Sequence, residues 1–275
     1  MEYSPKRMQD LLSENKFNFK KNFGQNFIID KNIIDNIINK CNIEKDSLVI
    51  EIGPGAGSLT TKLVEKANKV LCYEIDTTLK PILEENLKGY NNVEIVFKDF
   101  LNSNVEEDIK KYNYKKLYVI ANLPYYITTP IITKLIEDKI DVDKIVVMVQ
   151  KEVGDRFKAN PNSKDYNSLS IFLKYYFDIN KIIDVSRNVF MPKPNVDSIV
   201  LEFNKRNDKP IVNDEKIFFK LVRDSFVQKR KTLRNNLKQY NLETIEEVLK
   251  KYNMDLSVRA EQIPIEVFAD IANNL

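Results

Sequence analysis

The fold is decided by residues 48–57, which read Leu48-Val49-Ile50-Glu51-Ile52-Gly53-Pro54-Gly55-Ala56-Gly57. An apolar run of strand length is followed by three glycines, in a chain that has only six. Glycines at such a turn allow a tight change of direction and let the backbone approach a ligand at the start of the next helix. The stretch therefore predicts a ligand-binding strand–turn–helix unit.

Further apolar runs of strand length follow this unit, at residues 70–74, 93–97, 117–121, 145–149 and 196–203. Helix-like stretches at 59–67 and 79–87 separate the first of them. Strands that alternate with helices are typical of βαβ units and of a parallel sheet covered on both faces. The pattern predicts a doubly wound, Rossmann-like α/β fold.

A polar segment at residues 204–210, ending in Pro210, interrupts this pattern and marks a domain boundary. Residues 212–275 show only helical periodicity. We therefore expect two domains. Residues 1–205 form a cofactor-binding α/β domain, and residues 206–275 form a small C-terminal helical domain.

The composition excludes several kinds of chemistry. The chain has 275 residues and no histidine, so a histidine base, a Ser–His nucleophile and a histidine-bound metal are all excluded. Two cysteines, Cys41 and Cys72, cannot build a disulfide framework. No apolar run approaches the roughly 20 residues of a membrane span, and residues 1–23 do not resemble a signal peptide. We expect a cytoplasmic monomer with neither a metal nor a membrane partner.

Two acids follow the second and third predicted strands. Glu74 comes about 20 residues after the glycine turn, where an acid typically binds ribose hydroxyls, and Asp99 can accept a hydrogen bond from an adenine amine. The alternatives are a solvated charge for Glu74 and a helix N-cap for Asp99. Ser58 occupies the third glycine position of the G-x-G-x-x-G dinucleotide pattern. The arrangement thus predicts a nucleoside cofactor more than NAD.

The fourth predicted strand ends in Asn122-Leu123-Pro124-Tyr125. Adenine N6 is a poor nucleophile because its lone pair is delocalised into the ring. The Asn122 side-chain oxygen and the Leu123 carbonyl can accept its two N–H bonds and hold the nitrogen towards a methyl donor. Pro124 fixes the turn, and Tyr125 can stack on the base. The alternative is an ordinary strand-to-helix turn with core tyrosines.

This turn matches the Asn-[Leu/Ile/Pro]-Pro-[Tyr/Phe] motif of adenine N6-methyltransferases. From about Lys20 onward the chain closely resembles the small-subunit (16S) ribosomal RNA adenine N6,N6-dimethyltransferases, the family of kasugamycin-sensitivity enzymes. It departs from some members at Tyr126, where they carry asparagine. Further matching segments are residues 23–28, 149–153, 161–164 with Tyr166, 190–198 and 225–234.

The resemblance implies a class I methyltransferase that uses S-adenosylmethionine. It implies dimethylation of two adjacent adenosines in a loop near the 3′ end of 16S ribosomal RNA, during biogenesis of the small subunit. An immature small ribosomal subunit is the expected partner. Phe190 is expected to cover the second face of the flipped base, or alternatively to anchor its loop in the core. The cofactor-binding positions that the resemblance implies are Asn26, Ile28, Gly53, Glu74, Asp99 and Asn122.

The net charge of +3 does not by itself indicate nucleic-acid binding, but the charged residues are unevenly distributed along the chain. Between Lys216 and Lys238 there are eight Lys or Arg residues and one acid, Asp224. Such a stripe is a candidate polyanion-binding surface, and its alternative is a solvated face. We expect a basic helix in which Arg230 and Arg234 share one face. The residues expected to bind RNA there are Lys229, Arg230, Lys231 and Arg234.

Four other functions are weighed against this one. An antibiotic-resistance methyltransferase of large-subunit RNA shares the fold and the motif, but segments 190–198 and 229–234 favour the small subunit. A non-catalytic ribosome-assembly factor is opposed by the intact Asn122 and Tyr125. A DNA adenine methyltransferase usually has a different target-recognition domain. A dehydrogenase is opposed by the glycine spacing.

Overall fold

A computed structural model describes residues 5–15, 17–20, 23–124 and 126–275. These residues form two compact units. The first runs to Lys151 and includes Asn180–Asn204, and the second comprises Glu152–Ile179 and Lys205–Leu275. The sequence prediction divides the chain once, between residues 205 and 206. The structure instead groups residues 152–179 with the C-terminal unit, so the chain crosses between the units three times.

The first unit is built on a seven-stranded sheet. In spatial order its strands are β4 (Val93–Val96), β3 (Lys69–Tyr73), β2 (Ser47–Ile52), β5 (Lys116–Asn122), β6 (Lys144–Gln150), β9 (Ser198–Lys205) and β7 (Phe177–Val185). Its first five strands are parallel, and β9 runs antiparallel to β6. The predicted α/β fold is thereby confirmed. The first three residues of β7, up to Ile179, and the last residue of β9, Lys205, belong to the second unit.

Chain order reverses at the middle of this sheet. From β2 the chain adds β3 and then β4 on one side, whereas β5 and β6 lie on the other side. In open α/β sheets a ligand binds at such a switch point, beyond the carboxyl ends of the strands. The ends of β2 and β5 are Ile52 and Asn122, so the glycine turn and the Asn-Leu-Pro turn both lie there.

A short second sheet pairs β1 (Phe27–Ile28) with β8 (Phe190–Met191), in antiparallel register. The sequence predicts neither these strands nor β7, because two residues are too few for periodicity and β7 has a mixed exposure pattern. The α-helices of the first unit are α1 (Pro5–Glu14), α2 (Lys31–Lys40), α3 (Thr60–Leu63), α4 (Lys80–Asn86), α5 (Val105–Ile109) and α6 (Thr128–Glu137).

Buried side chains of the central strands form the core of this unit. All six residues of β2 are buried, including the carboxyl of Glu51, so this strand has no solvent-facing side. Helix α2 packs Ile34, Ile37 and Ile38 into the same core, at the spacing of one helix face. The strands are thus held rigidly, which fixes the turns at their ends.

The second unit is helical, as predicted for its C-terminal part. It buries its own core, which includes Tyr166, Phe218, Leu221 and Phe268. Its helices are α7 (Lys151–Phe157, whose first residue belongs to the other unit), α8 (Ser168–Tyr176), α9 (Glu215–Ser225), α10 (Leu233–Asn236), α11 (Leu242–Lys251) and α12 (Ile265–Asn274). Among the residues described, no helix is long and apolar enough to cross a membrane.

The predicted basic helix is wrong. Helix α9 ends at Ser225, residues 226–232 form turns and bends, and α10 contains only four residues. The break is explained by hydrogen bonds from Asn236, whose amide donates to the carbonyls of Ser225 and Gln228 and caps the end of α9. Arg230 and Arg234 therefore do not share a helix face.

Candidate active site

A cavity opens at the switch point of the sheet, entirely within the first unit. The space between its walls, including the part open to solvent, is about 1040 Å³. Residues 23–28 line it together with the turns that follow β2, β3 and β5. The predicted positions that line it are Asn26, Ile28, Gly53, Glu74, Asp99, Asn122, Leu123 and Pro124.

The glycine turn leaves its backbone accessible to a ligand. Gly53, Gly55 and Gly57 all have positive φ, at 67°, 58° and 85°. A Cβ at Gly53 would meet nothing within 4 Å, whereas one at Gly55 would lie 2.7 Å from the ring of Phe27. Glycine is therefore needed at Gly55 for the close approach of Phe27, and at Gly53 for the left-handed backbone beside the open cavity.

Glu74 is 4% exposed at the end of β3. Its carboxylate accepts hydrogen bonds from the backbone N–H groups of Gly55 (3.0 Å) and Asp76 (2.8 Å). Burial raises the pKa of Glu74 to about 7, although these two N–H donors lower it. A buried acid at a strand end, facing a cavity, is a strong acceptor for hydroxyl groups when ionised. The solvated-charge alternative does not fit this position.

Asp99 lines the same cavity and also caps a short 3₁₀ turn, residues 100–102. Its carboxylate accepts from the Leu101 N–H (3.0 Å) and from the Asn102 side chain (2.9 Å). The N-cap alternative is therefore present, and it coexists with a position at the cavity wall. A carboxylate held in this way can still accept a further hydrogen bond.

The Asn122 side chain is oriented by the segment that covers the cavity. Its amide nitrogen donates to the backbone carbonyl of Asn26 at 3.0 Å. Because the nitrogen is engaged in this bond, the side-chain oxygen points the other way, as an acceptor. Leu123 is buried beside it, and the Pro124 carbonyl accepts from the Ile127 N–H at 3.1 Å, which closes the turn. Tyr125 lies outside the described residues.

Phe190, in contrast, lies away from the cavity. It is 4% exposed, pairs with Ile28 in the short sheet and belongs to the hydrophobic core. This position agrees with the core-anchor role that was the alternative, and the expected role over the flipped base stays a prediction. Ile28 pairs with it from the strand that lines the cavity, so the anchor fixes residues at the cavity wall.

The basic segment lies in the second unit and is exposed at Lys229, Arg230, Lys231 and Arg234. Lys229 donates to the carbonyl of Lys164. Within the described part of the chain, none of these four cations forms a direct ion pair with an acid, whereas Lys220 is paired with Asp224 at 2.7 Å. Hydrogen bonds from Ser257 lower the pKa of Asp255, and the charge of Arg234 helps to lower it. Exposed cations that form no direct ion pair keep their charge available to a polyanion.

Some residues at the cavity were missed by the sequence analysis. Gln25, Lys98 and Tyr126 line it, and Tyr126 is 64% exposed. Asp76, two residues beyond Glu74, is buried and accepts hydrogen bonds from Lys20 and Gln25. Two features of the sequence could have identified them: Gln25 stands between Gly24 and Asn26, and Asp76 is two residues from Glu74. Among the described residues, His, Cys, Asp and Glu form no group that could hold a metal ion.

Comparisons with known proteins agree with this geometry. A model of the family described as ribosomal RNA adenine dimethylase matches residues 16–275. The ribosomal RNA small subunit methyltransferase A of Bacillus cytotoxicus is 47% identical over 283 residues, covering 99% of this chain and 96% of that protein. A dimethyladenosine transferase from Plasmodium falciparum has a similar crystal structure, with a TM-score of 0.75 and 27% identity, over 88% of this chain and 94% of that one.

The 23S rRNA methyltransferase ErmE shares the fold, with a TM-score of 0.72 and 24% identity, over 90% of this chain and 99% of that one. The switch-point cavity, the glycine turn and these neighbours define a class I methyltransferase fold. The chain belongs to the ribosomal RNA adenine dimethylase family.

Proposed function

We propose that the protein is an enzyme that dimethylates N6 of adenosine in small-subunit ribosomal RNA. The target is a pair of adjacent adenosines in a loop near the 3′ end of 16S RNA, modified while the small subunit matures. The observation that carries the proposal is the Asn122 amide, held by Asn26 with its oxygen available at the carboxyl end of β5, in a chain of the adenine dimethylase family.

The cofactor is S-adenosylmethionine, which supplies an electrophilic methyl group when it is bound. The cavity fits such a ligand because Glu74 is a buried acceptor at the expected ribose position and the backbone at Gly53 is open. Asp99 would accept from the adenine amine. The remaining positions assigned to the cofactor are Asn26, Ile28 and Asn122.

The residues of the turn activate the target amine by orienting it. The Asn122 oxygen and the Leu123 carbonyl would accept the two N6–H bonds, so that the nitrogen lone pair turns out of conjugation with the ring. The nitrogen becomes cationic and strongly acidic when it is alkylated, so water or a carbonyl can take its proton. This chemistry needs neither histidine, which the chain lacks, nor a metal.

The RNA would be bound through charge and would present an unstacked base. The target base must leave its stack to enter the cavity, which favours a single-stranded loop. Lys229, Arg230, Lys231 and Arg234 are the proposed phosphate contacts. We further propose that the protein acts as a monomer in the cytoplasm, on an immature small subunit.

The experiment that tests this function incubates the protein with methyl-labelled S-adenosylmethionine and separated small- and large-subunit RNAs, free and as immature particles. The expected result is label in one loop of the small-subunit RNA, which is lost with Asn122→Ala. Label in the large-subunit RNA would instead support the antibiotic-resistance alternative. Cofactor binding without any transfer to either RNA or its particles would support the non-catalytic assembly factor.

A further inference from the structure

Residues 23–28 form a strap along the cavity, and Lys20 precedes it. The strap contacts the rest of the unit through a buried acid, Asp76. The Asp76 carboxylate accepts from the Lys20 ammonium at 2.6 Å and from the Gln25 side chain at 2.8 Å. The Gln25 oxygen accepts in turn from the Lys20 backbone N–H at 2.8 Å. Gln25 is thus fixed at both ends of its amide.

Asp76 is 1% exposed and has further partners on its own side of the cavity. Its carboxylate accepts from the backbone N–H and the hydroxyl of Thr78, at 3.1 and 2.6 Å. Its backbone N–H donates to the Glu74 carboxylate at 2.8 Å. Burial raises the pKa of Asp76, but the bonds from Lys20, Thr78 and Gln25 together lower it below its ordinary value, so it stays ionised.

The next residue of the strap, Asn26, contacts the opposite wall of the cavity. Its backbone carbonyl accepts from the Asn122 amide at 3.0 Å. Gly24, on the other side of Gln25, has a φ of 58°, and a Cβ there would lie 3.1 Å from Pro124. The three consecutive residues Gly24, Gln25 and Asn26 therefore connect the turn after β3 with the turn after β5.

We propose that Gln25 is a positioning residue, which sets the spacing between the ribose acid Glu74 and the amine-holding Asn122 by tying the strap to Asp76. The inference rests on the proposed function for what the two walls bind. A shift of the strap moves the Asn26 carbonyl, and with it the amide of Asn122. Cofactor binding and the alignment of the target amine are therefore coupled through this one side chain.

The test compares Gln25→Ala with Gln239→Ala, because Gln239 also donates to an aspartate, Asp224, but belongs to the second unit and does not line the cavity. Calorimetry without RNA gives the cofactor affinity, and single-turnover methylation at saturating cofactor gives the rate. We expect Gln25→Ala to weaken cofactor binding about tenfold and to slow the saturated rate about tenfold, as expected for one hydrogen bond to a charged acceptor. Gln239→Ala should change neither.

Reversing donor and acceptor in the hydrogen bond between Gln25 and Asp76 separates a positioning role of Gln25 from a contribution to stability alone. Gln25→Glu places a second carboxylate against Asp76 and should weaken cofactor binding more than Gln25→Ala does. Adding Asp76→Asn restores a donor–acceptor pair with the opposite polarity, and should recover affinity and rate to within about threefold of the wild type. If Gln25→Ala does not fold, the comparison of Gln25→Glu with the Gln25→Glu, Asp76→Asn double variant tests the proposal in its place.

Two results would overturn the inference. One is a folded Gln25→Ala variant with affinity and saturated rate both within about twofold of the wild type. The other is a double variant no better than Gln25→Glu alone. The affinity measurements need no RNA, so a wild-type protein that methylates no RNA would refute the proposed function without deciding the role of Gln25.

Discussion

The cavity in the first unit and the basic segment in the second are built in opposite ways. At the cavity, the polar side chains assigned to the cofactor and the target amine are buried or half-buried, and two of them are oriented by a backbone partner: Glu74 by Gly55, and Asn122 by Asn26. In the basic segment the cations are exposed and follow an irregular backbone. A function that depends on geometry is sensitive to the loss of one atom, whereas a function that depends on charge changes gradually and responds to salt.

The largest effect is expected at Asn122. Asn122→Ala removes an acceptor that holds the target amine, which costs about 3 kcal/mol, or roughly a hundredfold in the methyl-transfer rate. Because this hydrogen bond forms with the base in place, the cofactor affinity should change by much less. Single-turnover kinetics and calorimetry on the folded variant check both. A rate within about twofold of the wild type would remove Asn122 from the reaction.

The next effect is on cofactor binding. Glu74→Ala removes a charge-assisted acceptor and should weaken the affinity for S-adenosylmethionine by about 1.5–3 kcal/mol, measured by calorimetry without RNA. Glu84→Ala, an exposed charge on α4, is the matched control and should leave affinity unchanged. Equal affinities for wild type and a folded Glu74→Ala variant would exclude Glu74 from the cofactor site.

The basic segment should behave differently. The Arg230→Ala, Arg234→Ala double variant should bind RNA more weakly, and the slope of log affinity against log salt should fall by about 1 for each phosphate that is no longer neutralised. Cofactor affinity should not change. The control is the Lys250→Ala, Lys251→Ala double variant, which removes two charges from the end of α11. If RNA affinity and its salt dependence are the same for wild type and the arginine double variant, the basic segment is only solvated surface.

The smallest effect concerns the stability of the cavity wall. Burial raises the pKa of Glu51 to about 8, and the nearby Glu74 acts in the same direction. The folded state therefore holds a proton that the unfolded chain releases above its ordinary pKa of 4.5. This contribution to stability is complete below pH 4.5 and is lost as the pH rises towards 8.

Glu51→Gln has no such proton to lose. The unfolding free energy of Glu51→Gln relative to that of the wild type should therefore rise between about pH 6 and pH 8, by roughly 1 kcal/mol per pH unit. Thermal melting across this pH range, without cofactor, measures the difference. A constant difference would show that Glu51 does not titrate with a raised pKa.

The sequence predicts most of the cavity because strand ends are local features. Apolar runs locate β2 to β6 to within one or two residues, and their carboxyl ends bring Gly53, Glu74, Asp99 and Asn122 to one edge of the sheet. The roles of these residues at the bound cofactor stay predictions.

What the sequence could not predict depends on distant pairing or on capping. Gln25 and Asp76 are 51 residues apart, so neither residue indicates its partner. Phe190 is an aromatic residue in a loop-like segment, and only the pairing with Ile28 places it in the core. The basic run has helix-forming residues, but Asn236 caps the preceding helix and ends it before Arg230.

The proposed function depends on transfer of the methyl group to the exocyclic nitrogen of adenosine, and nucleoside analysis identifies the atom that is modified. Small-subunit RNA that has reacted with the protein and S-adenosylmethionine is digested to nucleosides and analysed by mass spectrometry against standards. We expect N6,N6-dimethyladenosine when S-adenosylmethionine is in excess over the target adenosines, and a rate constant for the first transfer that is about a hundredfold lower with Asn122→Ala. Methylation of a ring nitrogen or of the ribose hydroxyl, with N6 unmodified, would contradict the proposed function.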